Sequence, residues 1–206
     1  MTKNTRKTSR RRAVYGKQRM VQTRLPSPYN RLSSDSTSIR GRGLLSIVAG
    51  ASTTKGSLFL TPTSLGGAPS LVNLVPALAG LAESYEYFIV NSISVKLIPT
   101  VPLTVGALTA VGYEPSYDGV EIPDPTSLNE VMMSRNHIAT NQTEEKEFSF
   151  QPMSYRNTWC NTSHTGPSQD KYNGYLQWYS SYVPTAGVSV AHMDISFVVT
   201  LAGLHI

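Results

Sequence analysis

Ala191-His192-Met193-Asp194-Ile195-Ser196-Phe197-Val198-Val199-Thr200-Leu201 alternates in character from end to end. Ala191, Met193, Ile195, Phe197, Val199 and Leu201 form one apolar set, and His192, Asp194, Ser196, Val198 and Thr200 form the other. Successive side chains of a strand point to opposite faces, so the pattern predicts a β-strand with one face in a core. A helix would need apolar residues three and four apart.

The same period recurs upstream. Ile89, Asn91, Ile93, Val95 and Leu97 alternate with Ser92, Ser94 and Lys96. Phe148 and Phe150 alternate with Glu147, Ser149 and Gln151. Leu58-Phe59-Leu60, Val105 to Tyr113 and Tyr175 to Val183 are further strand candidates. Pro62, Pro99, Pro102, Pro115, Pro152 and Pro184 punctuate them, because proline cannot donate to a strand ladder. Two segments follow a helical period instead. Leu71, Leu74, Val75, Leu78, Ala82 and Tyr85 share one face, interrupted by Pro76 and Gly80, which predicts a short helix. A second helix is expected over 126–133, with Thr126 as its N-cap and Asn129-Glu130 facing solvent.

Many strands and two short helices in about 150 residues predict an all-β, antiparallel sandwich. An immunoglobulin-like sandwich and a jelly roll both fit that count. The lone cysteine, Cys160, removes the paired cysteines of the first, and a helix between the first two strands favours the second.

Charge divides the chain. Residues 1–42 hold twelve Lys and Arg and one acid, Asp35, about +11 in all. The remaining residues hold six bases and twelve acids, about −6. The basic segment has few large apolar side chains and no period, so it reads as a disordered arm. Lys3, Arg6, Lys7, Arg10, Arg11, Arg12, Lys17, Arg19, Arg24 and Arg31 are its candidate nucleic-acid contacts. Bases spread along a flexible arm suit a polyanion followed along its backbone, bound without sequence readout. A solubility tail or nuclear-import signal is the plainer reading of Arg10-Arg11-Arg12. The polar run Ser33 to Ser38 and the glycines beyond it mark the boundary. The expected division is an arm and linker over 1–54 and a folded body over 55–206. On this division the core lies wholly beyond Gly56, and deleting 1–42 leaves the body folded.

Composition excludes several classes. The sequence of 206 residues is 40% apolar and only 15% charged, enough for one core. No apolar run is long enough to span a bilayer. The charged start is unlike a secretory signal, so a reducing compartment is expected. No nucleophile stands with a base and an orienting group, so no enzyme activity is expected. His192 and Asp194 share a strand face without such a partner. His137, His164 and His205 have no metal spacing, and Cys160 reads as a small buried residue. The Asn141 and Asn161 glycosylation patterns are expected to be chance.

Glu114, Asp118, Glu121 and Asp124 crowd into one loop that also holds Pro115 and Gly119. Hard cations take six to eight oxygens, and loop carboxylates supply them, so calcium is one reading and a solvated acidic loop the other.

Lys55 to Leu60, Ala79 to Pro99 with its Tyr85-Glu86-Tyr87, Thr104 to Leu108, and the acidic turn from Tyr113 to Asp124 together resemble a known family. They are similar to the shell domain of coat proteins from small icosahedral plant RNA viruses, the tombusvirus- and sobemovirus-like group. The resemblance covers roughly 55–125 in motif and the rest in strand pattern only. It implies an eight-stranded jelly roll that self-assembles into an icosahedral T=3 shell of about 180 copies. It implies packaging of single-stranded RNA by the arm, with the virion and the host cytoplasm during assembly as its places. It implies a shell-only subunit, with Arg24-Leu25-Pro26-Ser27-Pro28-Tyr29 making ordered arm contacts between subunits. It also implies calcium at subunit contacts, although the family's Asp-x-x-Asp pair is absent, since Glu114 and Asp118 stand four apart. The sequence does not separate RNA from DNA cargo. The rival is a non-capsid nucleic-acid-binding β-sandwich, which predicts bases on the folded surface as well.

Overall fold

A computed structural model of the chain describes residues 35–64, 69–100, 106–115, 124–141, 144–152, 159–163 and 172–204. Strands β1 (Thr37–Val48), β9 (Ser189–Leu204), β3 (Tyr85–Pro99) and β6 (Lys146–Phe150) lie side by side in one sheet, sheet A. The two-residue β7 (Cys160–Asn161) also pairs with β3. Sheet B runs β2 (Thr54–Phe59), β8 (Tyr175–Ser180), β4 (Leu108–Glu114), β5 (Asn136–Asn141). Every strand ladder among the described residues is antiparallel. The first strand pairs with the last and the second with the next to last, the interleaving that defines a jelly roll. No helix among the described residues is long and apolar enough to cross a membrane.

Strand β9 carries the alternation through the core. Met193, Ile195, Phe197, Val199 and Leu201 are buried, while His192, Asp194, Ser196, Val198 and Thr200 are half-exposed. They meet Val95, Leu97, Ile93, Val90 and Phe88 of β3 and Leu58, Leu176, Trp178 and Val111 of sheet B in one cluster. Burying a side chain of this size contributes roughly 1.5–3 kcal/mol.

Strand β3 changes phase part-way. The alternation predicts Ile89 and Asn91 on the face of Ile93, yet Phe88 and Val90 are the buried pair, and Asn91 is exposed. The ladder to β9 steps from Val90↔Val199 to Ser92↔Val198, leaving Asn91 as the extra residue of a β-bulge. One extra residue flips every side chain on one side of it. Asn91 Nδ2 then donates to Thr200 Oγ1 at 2.6 Å on the outer face.

The expected boundary at 54/55 is too late. Strand β1 begins at Thr37 and pairs with β9 along twelve positions. Ile39 and Leu45 pack against the core and Ile47 is fully buried, so the core does not lie wholly beyond Gly56. The apolar alternation was hidden because two inward positions are glycines. A Cβ on Gly41 would sit 2.2 Å from Phe197 Cζ, and one on Gly43 would sit 2.7 Å from Leu74 Cβ. Glycine at these sites lets neighbouring side chains fill the space. Strand β5, Asn-His-Ile-Ala-Thr-Asn, was also missed, for it carries one large apolar residue, Ile138.

The first helical segment is broken in two, α1 (Leu71–Leu74) and α2 (Ala77–Ala82), at Val75-Pro76. Its predicted face is right: Leu71, Leu78 and Ala82 are buried, and Leu74, Val75 and Tyr85 pack on the core. These helices sit between the second and third strands, not the first and second. The later helix, α3 (Leu128–Met133), is capped by Ser127 instead of Thr126. Ser127 Oγ accepts from the Glu130 N–H at 3.3 Å, and Thr126 is used differently, as described below. Asn129 and Glu130 face solvent as expected.

Candidate functional site

The outer face of sheet A is built in rows by the register. One row crosses four strands as Leu44, Asp194, Lys96 and Glu147. The next crosses as Arg42, Ser196, Ser94 and Ser149. Arg42 reaches diagonally to Asp194, with Nε on Oδ1 at 2.9 Å and Nη2 on Oδ2 at 2.5 Å. These hydrogen bonds hold the Asp194 carboxyl below the usual carboxylate range and raise the Arg42 guanidinium. Lys96 pairs with Glu145, whose hydrogen bond raises the ammonium, and Ser94 Oγ donates to Glu147 Oε1 at 2.7 Å. His192 Nδ1 lies 3.0 Å from Ser46 Oγ, one strand away. His192 and Asp194 are thus each engaged with β1, His192 with Ser46 and Asp194 with Arg42.

Small side chains leave a trough of about 710 Å³ on this face. Ser92, Ser94, Ser149 and Ser196 line it together with Ile93, Phe150, Phe197 and Val198, and Arg40 and Arg42 stand at one side. Arg40 is exposed, and no ion-pair or hydrogen-bond partner for it exists among the described residues.

Between the sheets sits a buried amide that the sequence reading missed. Val90 lies on β3 between the stretch paired with β7 and the stretch paired with β6. Its N–H donates to Asn173 Oδ1 at 2.6 Å. Asn173 Nδ2 donates to Cys160 Sγ at 3.2 Å. The Asn173 carbonyl accepts from Tyr113 Oη at 3.1 Å, and its N–H donates to the Leu60 carbonyl at 3.1 Å. One side chain and its backbone therefore tie sheet A to sheet B. Cys160 is buried and serves this arrangement, as its small size suggested. Asn173 precedes Gly174, a turn signal that hints at position but not at partners.

Outside sheet B, the approach to α3 is fixed by side chains. Glu130 Oε2 accepts from the Thr126 N–H at 2.7 Å and the Thr126 hydroxyl at 2.8 Å. These bonds, the backbone one foremost, hold the Glu130 carboxyl below its ordinary range. Gln177 Nε2 donates to Ser134 Oγ at 2.9 Å, joining the end of α3 to β8. Asp124 Oδ1 accepts from Ser57 Oγ at 3.3 Å, and Glu114 closes β4 opposite Tyr175.

The family model for viral coat proteins (S domain) matches residues 12–201. The chain belongs to that family. No curated protein matches the sequence. Among solved structures the chain is similar to one from Cocksfoot mottle virus, at 12% identity over 83% of this chain and 97% of that one, with a TM-score of 0.62. It is similar to tobacco necrosis virus at 15% identity over 84% and 98%, with a TM-score of 0.62. It is also similar to a nodavirus of the giant freshwater prawn, Macrobrachium rosenbergii, at 12% over 83% and 95%, with a TM-score of 0.60. At such identities the likeness is one of fold.

A coat protein of a small icosahedral RNA virus is a structural protein of the virion. It assembles with copies of itself and encloses a genome. The non-capsid reading falls away with family membership. The coat protein's candidate residues are only partly placed. Lys3, Arg6, Lys7, Arg10, Arg11, Arg12, Lys17, Arg19, Arg24 and Arg31 lie outside the described residues, as does the expected arm contact at 24–29. So do Asp118, Glu121, His164 and His205. Glu114 and Asp124 are described, but no three His, Cys, Asp or Glu come together to hold a metal among the described residues. His137 Nδ1 stands 2.9 Å from the Ser134 carbonyl, a structural contact.

Proposed function

We propose that this coat protein builds a T=3 shell of about 180 copies around single-stranded RNA, held by the ten bases from Lys3 to Arg31. The observation that carries the reading is how charge divides once β1 joins the body. Residues 1–36 keep ten bases against Asp35, about +9, while the rest holds eight bases against twelve acids, about −4. Arg40 and Arg42 belong to the sheet, so the arm carries less than the +11 read from residues 1–42. A shell of this size would still bring roughly 1,600 arm charges to its cargo. Lys and Arg that neutralise phosphates release counterions, so packaging weakens steeply with salt. Two cations of the folded face, Arg42 and Lys96, already have carboxylate partners, which leaves the arm as the main polyanion ligand. Assembly is set in the host cytoplasm.

The test is electron microscopy of the purified chain with and without RNA at low salt. Uniform closed shells that enclose RNA, and lose it when residues 1–34 are deleted, are the expected result. Small oligomers under every condition, or full packaging without the arm, would sink the proposal.

We further propose that Glu114, Asp118, Glu121 and Asp124 serve calcium between subunits. Asp124 already accepts one hydrogen bond from Ser57, and the described carboxylates alone do not make a cation site, so the remaining oxygens must come from the loop or a neighbouring copy. Chelation should swell assembled shells at raised pH, read as a larger scattering radius. An unchanged radius would remove calcium from the account.

A further inference from the structure

We infer that the outer face of sheet A touches the packaged nucleic acid through Arg40, and that Asp194 keeps Arg42 out of that contact. The inference rests on the proposed RNA packaging by the arm and extends it to the folded body.

Three observations meet at one place. First, Arg40 is exposed at the side of the trough, near Ser92 and Ser196, and has no acid partner among the described residues, whereas Arg42 and Lys96 each have one. An unpaired guanidinium beside hydroxyl donors suits a phosphodiester, whose oxygens accept from both. Second, the chain enters this sheet from the arm side. Arg31, the last arm base, stands nine residues before Arg40, a span of at most about 30 Å. A strand held by the arm is therefore within reach of the trough. Third, the register places Arg42 one row from Arg40 on the same face, so Asp194 decides how many guanidinium groups that face can offer.

A second copy of the chain could bring a carboxylate to Arg40 instead. The nucleic acid is favoured because Arg40 follows the basic arm in the chain and its charge, which no described acid neutralises, complements a phosphodiester. The two occupants differ in what salt does to binding.

The experiment measures affinity of the full chain for a labelled oligouridylate too short to bridge two subunits, as a function of salt. Each phosphate contact on a single strand contributes about 0.7 to the slope of log K against log salt. Arg40→Gln should flatten the slope by about 0.7. Asp194→Asn should release Arg42 and steepen the slope by up to about 0.7. Replacing Arg10, Arg11 and Arg12 by Gln is the arm control and should flatten it by about 2. Thermal unfolding of each variant confirms that the fold is kept. If the arm control flattens the slope while Arg40→Gln and Asp194→Asn leave it unchanged, the sheet face does not touch nucleic acid and the inference fails. A change in RNA-free assembly for Arg40→Gln with an unchanged slope would assign Arg40 to a second copy and also overturn it. If the arm control itself changes nothing, the packaging reading fails first.

Discussion

Arg42 and Asp194 are joined by two parallel hydrogen bonds although they are not register partners: Arg42 faces Ser196, and Asp194 faces Leu44. The fork therefore reaches one row along the sheet and ties the first strand to the last. Bidentate arginine–carboxylate pairing adds geometric definition as well as attraction, and it favours the register in which the two strands lie.

The pair sets a pH dependence. Asp194 and Glu130 both have folded pKa values below their unfolded ones, held down by Arg42 and by Thr126 respectively. A depressed carboxyl stabilises the fold fully from about pH 5 upward and loses that contribution as acid carries it through its folded pKa. Urea midpoints should fall on the acid side of about pH 5, and Asp194→Asn with Glu130→Gln should flatten that limb. An equally steep acid limb in the double variant would show that other carboxylates govern it.

Asn173 is the most consequential polar side chain between the sheets. Asn173→Ala leaves the Val90 N–H without its acceptor in a buried position, and each orphaned buried group costs about 1–3 kcal/mol. We expect a loss of about 2–4 kcal/mol in unfolding free energy, with the fold retained. Cys160→Ala removes only a weak sulfur acceptor and should lose less than Asn173→Ala. Equal losses would place the energy in packing rather than in the amide.

Gly41 tests the placement of β1. Gly41→Ala drives a methyl into the Phe197 ring and should destabilise by about 1–3 kcal/mol. Phe197→Leu should relieve part of that loss, so the double variant should be more stable than the two single losses predict. Additive losses would mean that the ring and the glycine do not meet.

Truncation separates arm from body. Deleting 1–34 should leave cooperative unfolding intact, because β1 starts at Thr37. Deleting 1–48 should lower stability sharply, since it strips β9 of a partner along twelve positions and removes Ile47 from the core. Deleting 1–42, which the boundary at 54/55 would tolerate, should already damage sheet A. Retained stability in the 1–48 deletion would return β1 to the arm.

Much of the fold was legible where one side chain in two was large and apolar. Strand β9 obeys that rule along its whole length, so its faces could be assigned directly. Strand β1 breaks it, because Gly41 and Gly43 hold inward positions and the missing volume is supplied by Phe197 and Leu74. Inwardness there depends on partners far away in sequence. The bulge at Asn91 escaped for a related reason: a strand's period does not reveal an extra residue, and only the ladder to β9 does. In the candidate site, the basic arm and the acidic loop were legible as charge. The contacts of Arg42, Asn173 and Glu130 were not, for each is a geometric fact about strands or loops that sequence leaves unpaired.

The pairing of β1 with β9 also orders events in time. Ser38 and Thr200 hydrogen-bond at 2.8 Å across 162 residues of chain. On a ribosome the arm is synthesised first, yet sheet A has no neighbour for its first strand until β9 is made. Contacts this distant in sequence close slowly, and the loop entropy must be met before they form. The basic segment of the coat protein thus exists before the body can finish folding. On the proposed packaging by the arm, RNA capture can therefore begin before β9 is made, while tiling must wait for β9.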